Sequence, residues 1–234
     1  MTIVYQDEII SAYRDIPIIE INSIPFGAII NRTPGDLSWW PPFDMIGITA
    51  DFGPIKGIIP YQQKFFGKHS SHVYSSHTLI HTFLGRYFEV TNPRSRYGIL
   101  TKDNLDPAKV YTICTYSDAV VDTSEGRECF YEIFRLLDKT NYDYLQLVNM
   151  LIHTYLDWDK DKYLPLLDIG KNNKVCSVAA AVCWLNFYYK MLKDTRRPMG
   201  KWNAERVPPC LFESPYYNEG TFKIIGRLYS ALLD

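Results

Sequence analysis

SSHTLIHTFLGRYFEV, residues 75–90, reads as a strand, a tight turn and a second strand. Thr78 to Phe83 and Tyr87 to Thr91 carry Thr, Ile, Tyr, Phe and Val, and Leu84-Gly85-Arg86 sits between them as the turn, so the pattern predicts a β-hairpin. In such a hairpin the base of the first strand lies beside the end of the second, which brings His77 close to Glu89. A carboxylate there holds an imidazole in one tautomer, as a general base requires. The residues alone equally fit a surface hairpin with ordinary polar side chains. His69, His72, His77 and His81 crowd into residues 69–81, so a metal site is a further alternative, with His77 and His81 four apart. That cluster holds no HExxH pattern and no carboxylate, and its flanks read as strand.

A base of this kind serves a nucleophile. KNNKVCSVAAAVCWLNFYY, residues 171–189, puts Cys176 at the mouth of an apolar, alanine-rich helix. A free cysteine often packs as a small hydrophobe, and Cys183, one helical repeat later, reads that way. At a helix N-terminus with a cation nearby, thiolate is favoured over thiol, which makes Cys176 the candidate nucleophile.

The bulk composition narrows the class. With 47% hydrophobic and 22% charged residues in 234, the chain reads as an ordinary folded protein rather than a disordered one. A net charge of −1 and the lack of a basic stripe argue against a nucleic-acid partner. Five cysteines with no CxxC pair suit free thiols in a reducing compartment better than a disulfide framework. The first residues, MTIVYQDEIISAYRD, lack the apolar core of a signal peptide, and no run reaches transmembrane length. A cytoplasmic or virion-associated protein is the resulting expectation.

Further strands are expected at Ile18 to Ile24, Gly27 to Asn31, Met45 to Thr49 and Val110 to Tyr116. RTPGDLSWWPPFD is expected to form a surface flap. Phe130, Ile133, Phe134 and Leu137 recur at helical spacing behind Thr123 or Ser124 as N-cap, predicting an amphipathic helix. YDYLQLVNMLIHTYL predicts a second helix, and the Cys176 segment a third with Cys176, Ala179, Ala180, Cys183 and Phe187 facing inward. Residues 196–220 read as loop, and Phe222, Ile225, Tyr229 and Leu232 as a short closing helix. Strands first and helices later predict one α+β domain over residues 1–234, with helices packed on an antiparallel sheet.

These motifs resemble those of the circularly permuted NlpC-type, papain-like cysteine hydrolases, the YiiX-like group. There a Ser-His pair opens a strand and a Glu closes the next; Ser76-His77 matches the pair and Glu89 the acid. KVCSVAAAVCW matches the family's Cys-Ser helix start, with Cys176 as nucleophile and Ser177 after it. The order His, Glu, Cys is the permuted one. GAII at 27–30 resembles the family's early Gly-Asp strand, with Ala28 where an Asp is usual, and YDYLQL at 142–147 resembles its Tyr-Asp-Tyr stretch. The likeness spans roughly residues 25–190; segments 153–173 and 196–220 have no counterpart. His81 interrupts a run that is small or β-branched in the family, and His72, in a similar SSHVY, rivals His77 as the base.

The resemblance implies a papain-like fold and thiol attack on an amide or ester carbonyl. Cys176 is then the nucleophile, His77 the base, and Glu89 the group that orients it. N–H groups at the start of the Cys176 helix stabilise the oxyanion, and Lys174 lowers the thiol pKa. No cofactor or metal is implied. The implied substrate is a cell-wall stem peptide, with a lipid acyl ester or thioester as the alternative, the Trp39-Trp40-Pro41-Pro42 flap lining the groove in either case. An inactive binding or structural module, for example of a phage particle, is the reading from a different class.

Overall fold

The computed structural model describes residues 3–4, 6–33, 38–39, 72, 74–91, 94–116, 121–141, 176–192, 207, 209–218 and 220–234. The expectations for Met45 to Thr49, for the helix from Tyr142, for Lys174 and for most of the Trp–Pro flap lie outside these residues.

A six-stranded antiparallel sheet is the frame. Its strands are β2 (Ile29–Arg32), β4 (His77–His81), β5 (Arg86–Glu89), β6 (Arg96–Ile99), β7 (Tyr111–Tyr116) and β8 (Phe222–Arg227), in the order β6-β5-β4-β2-β7-β8. A separate pair joins β1 (Ile3–Val4) to β3 (Ser38–Trp39). The hairpin forms as expected: Ile80 pairs with Phe88 and His81 with Tyr87. Its turn needs left-handed backbone, at Leu84 with φ 48° and Gly85 with φ 74°. A Cβ on Gly85 would come within 2.8 Å of the Leu100 carbonyl oxygen, so only glycine fits there.

Two helices cover one face of the sheet. After α1 (Gln6–Tyr13), α2 (Ser124–Leu137) is capped by Thr123, whose hydroxyl accepts from the Gly126 N–H, and α3 spans Cys176–Phe187. Phe130, Ile133 and Phe134 of α2 and Ala179, Ala180, Cys183 and Trp184 of α3 form one core with Ile29, Ile80 and Phe88. Burying this much aromatic surface is the main driving force, each large side chain contributing about 1.5–3 kcal/mol. Helix α3 is buried almost all round, Ser177, Val178, Ala181 and Trp184 included, which is why its sequence shows little polar periodicity. Ile30, Leu79 and Ile113 face the opposite side and pack with Ile24, Leu100 and Leu228.

The structure corrects three sequence expectations. Residues 18–24 are not a strand: Ile18 makes a single bridge to Arg227, and Ile21–Ser23 form a 3-10 turn. The closing segment is not a helix: Phe222–Arg227 forms strand β8, and residues 228–234 end the chain in a turn. Its apolar spacing fits a helix, yet pairing with β7 satisfies its backbone, and its β-branched Ile224 and Ile225 favour extended chain. The described part of 196–220 is no surface loop: Pro209–Phe212 is a buried 3-10 turn, followed by a short helix at Pro215–Asn218. Helix α1 and strand β6 were not foreseen. Among the described residues no helix is long and apolar enough to cross a membrane.

Candidate active site

Strand β4 starts at His77, directly opposite Arg32 of β2, and the Ser76 N–H donates to the Arg32 carbonyl at 2.9 Å. The hairpin register, continued by one residue, sets Glu89 opposite Leu79; His77 lies two residues further along the same face. Across that diagonal His77 Nε2 is 2.6 Å from Glu89 Oε2. The next strand completes the support, since Arg96 pairs with Glu89 and its Nε donates to Oε1 at 2.7 Å. Both carboxylate oxygens are thereby engaged, and Glu89 is 2% exposed.

Cys176 is the first residue of α3 and is itself buried. The β4–β5 pairing ends at Ile80–Phe88, and the Thr78 backbone N–H beyond it acts on the Cys176 sulfur, pulling the thiol pKa down. The Ser177 backbone N–H and the His77 ring act on the thiol in the same direction. Because Glu89 takes Nε2, Nδ1 is the ring nitrogen left for the thiol.

The electrostatics follow from these partners. Burial alone raises a thiol pKa, but at Cys176 the charge and hydrogen bond of His77, with the two backbone N–H donors, pull it below the ordinary value. Burial alone lowers an imidazole pKa, but the Cys176 thiolate and the Glu89 hydrogen bond raise His77 to about 8, against the opposing charge of Arg32. Burial pushes Glu89 up, yet the hydrogen bond and charge of His77, and then Arg96, bring it down to about 2. These partners shift the balance toward thiolate, imidazolium and carboxylate in series. Burial pushes the other four thiols, Cys114, Cys129, Cys183 and Cys210, upward.

The remaining histidine candidates go elsewhere. His72 packs its ring edge-on against Tyr13 of α1, with centroids 5.3 Å apart, and hydrogen-bonds the Ala12 backbone. His81 pins the hairpin: Nδ1 donates to the Pro25 carbonyl at 2.9 Å and Nε2 accepts from the Gly85 N–H at 3.1 Å. His77 and His81 therefore serve different partners, and no group of three or more potential metal-ligating side chains lies among the described residues. Ser177 is buried and reaches the sulfur through its backbone N–H.

Sequence reasoning overlooked Arg96, Thr78 and Arg32. The Asn92-Pro93 breaker after Thr91 was a readable signal for a further turn and strand, and so for Arg96 beside Glu89. Thr78 acts through its backbone, which no side-chain pattern reveals. No protein-family model matches the chain, and a search of curated proteins finds no significant match.

Proposed function

We propose that this protein is a cysteine-dependent hydrolase of amide or ester carbonyls, of papain-like architecture, acting through Cys176, His77 and Glu89. The observation that carries the reading is the continuous buried series from the Cys176 sulfur through His77 to Glu89, with Nε2 2.6 Å from the carboxylate. Nothing in core packing requires a thiol, an imidazole and a carboxylate in line, and pKa values shifted against burial are typical of catalytic groups.

In the reaction the Cys176 thiolate attacks the carbonyl carbon, and the carbonyl π electrons move to oxygen. N–H groups at the start of α3 stabilise that oxyanion. On collapse the C–N or C–O bond breaks, the leaving group takes the proton from His77 Nδ1, and a thioester remains on Cys176. His77, now neutral, removes a proton from water as it attacks the thioester. The acid product leaves and the thiolate–imidazolium pair is restored. Glu89 keeps its charge throughout, holding the ring and stabilising the imidazolium.

A stem-type peptide is the substrate class we favour; an acyl ester follows the same steps with an alcohol or thiol leaving group. The first test is labelling with limiting iodoacetamide at neutral pH, with the modified cysteine mapped by mass spectrometry. Cys176 is expected to label ahead of the other four, and His77→Ala to abolish that preference. Labelling without preference in folded protein would overturn the reading. Peptide and ester panels, with Cys176→Ala as the blank, then separate the substrate classes.

A further inference from the structure

Arg32 stands directly opposite His77 in the β2–β4 ladder, on the same face of the sheet. It is half-buried, and its charge is felt at His77, Tyr87 and Asp106. Among the described residues the charges of His77, Glu89, Arg96, Cys176 and Asp106 are each matched. Arg96 and the imidazolium of His77 share Glu89 and the Cys176 thiolate. Asp106 is held by Lys109 at 2.6 Å. Arg32 is the positive charge left over: among the described residues no carboxylate lies within ion-pair distance of its guanidinium.

A half-buried guanidinium beside a base whose protonation it opposes gives the site no evident benefit in the empty state. Asp106 feels its charge but is already held by Lys109, so an arriving anion would give Arg32 a full ion-pair partner. The planar, five-donor fork of arginine suits a carboxylate, which it binds through two parallel N–H···O bonds. Among the described residues the surplus is one positive charge, which a single carboxylate offsets; a dianionic phosphate would leave an excess beside the thiolate and oppose it. We propose that Arg32 is the anion-binding residue of this site and receives a free carboxylate of the substrate close to the scissile carbonyl. The inference rests on Cys176 and His77 being the reacting pair. It narrows the substrate to acidic peptides or amides, among which a neutral lipid ester has no place. Carboxylate binding also removes the charge that opposes protonation of His77, so an acidic substrate strengthens the ion pair that attacks it.

Charge-paired alkylating reagents test this without knowledge of the natural substrate. Iodoacetate carries the carboxylate and iodoacetamide is its neutral counterpart; both alkylate Cys176, and their rates are compared at constant ionic strength. In the wild type, iodoacetate inactivation is expected to saturate with concentration, and acetate to slow it more than it slows iodoacetamide. Arg32→Gln should reduce the iodoacetate-to-iodoacetamide rate ratio by about tenfold, the scale of one charge-assisted hydrogen-bonded pair, while Arg32→Lys retains part of it. If Arg32→Gln does not fold, acetate competition on the wild type decides by itself. An unchanged ratio, or acetate acting equally on both reagents, overturns the inference and leaves the hydrolase reading standing. Failure of both reagents to label Cys176 overturns both.

Discussion

Two carboxyl groups, both almost fully buried, behave in opposite ways in this molecule. Glu89 is 2% exposed and Glu213 1%, and burial pushes both upward. At Glu89 the charged partners His77 and Arg96 more than reverse that push, to about 2. At Glu213 the partners are neutral: Ser75 Oγ donates to Oε1 at 2.8 Å, Tyr13 OH to Oε2 at 3.3 Å, and Thr112 Oγ1 also donates. These donors, with Asn31, offset burial only in part, and the carboxyl remains at about 7. Burial therefore does not decide the charge of a group; the charge of its partners does. Glu89 works as an ion in a reactive site. Glu213 is a half-neutral hub that ties α1, the start of β4, β7 and the turn at Pro209–Phe212 together.

The largest effect is expected at the hub. Glu213→Ala strands three buried hydroxyls and should destabilise the protein by about 3 kcal/mol or more in urea unfolding, whereas Glu213→Gln keeps an acceptor and should lose far less. Equal losses for the two variants would break the contrast. The pH dependence has a definite sign. A carboxyl raised from 4.5 to about 7 contributes stability that is full below 4.5 and is lost as pH rises through about 7, a swing of about 3 kcal/mol. Glu213→Gln should remove that slope.

At the site the sign reverses. Glu89, lowered from 4.5 to about 2, stabilises fully above 4.5 and loses its contribution as pH falls toward 2. His77, raised from 6.5 to about 8, stabilises fully below 6.5 and loses its contribution as pH rises through about 8. Glu89 and His77 taken together therefore contribute fully between pH 4.5 and 6.5. Glu89→Gln should slow Cys176 alkylation at pH 6 by about 10- to 100-fold, the scale known for carboxylates that orient metal-bound imidazoles, and should also lower the melting temperature there, since the stability Glu89 contributes above pH 4.5 is lost. A variant that alkylates at the wild-type rate would show that Glu89 is structural, like Glu213.

The smallest effect is expected at His72. Its ring belongs to the α1 contact, so His72→Ala should leave Cys176 alkylation within about twofold while slightly lowering stability. A large loss of alkylation there would restore His72 as a rival base.

Local signals in the sequence carried the hairpin at residues 77–89, the capped helix from Ser124 and the helix beginning at Cys176. Strong periodicity or a turn marked each of them. Strand β8 misled because its apolar residues fit two periods, and only the vacant edge of β7 chose between them. Residues 209–218 misled because prolines mark loops, whereas here they open a buried 3-10 turn and a short helix on either side of Glu213.

The chain alone therefore determined which residue types were available for chemistry: a cysteine at a helix mouth, a histidine opening a strand and a glutamate closing the next. Hydrogen-bonding repertoire and local backbone preference are written residue by residue, so this much was legible. The choice of His77 over His72, the support of Glu89 by Arg96, the Thr78 N–H at the sulfur and the placement of Arg32 beside the base were decided only in three dimensions. Each depends on sheet register and helix docking, which residues far apart in the chain set jointly through packing, and on electrostatic partners that exist only once those contacts have formed.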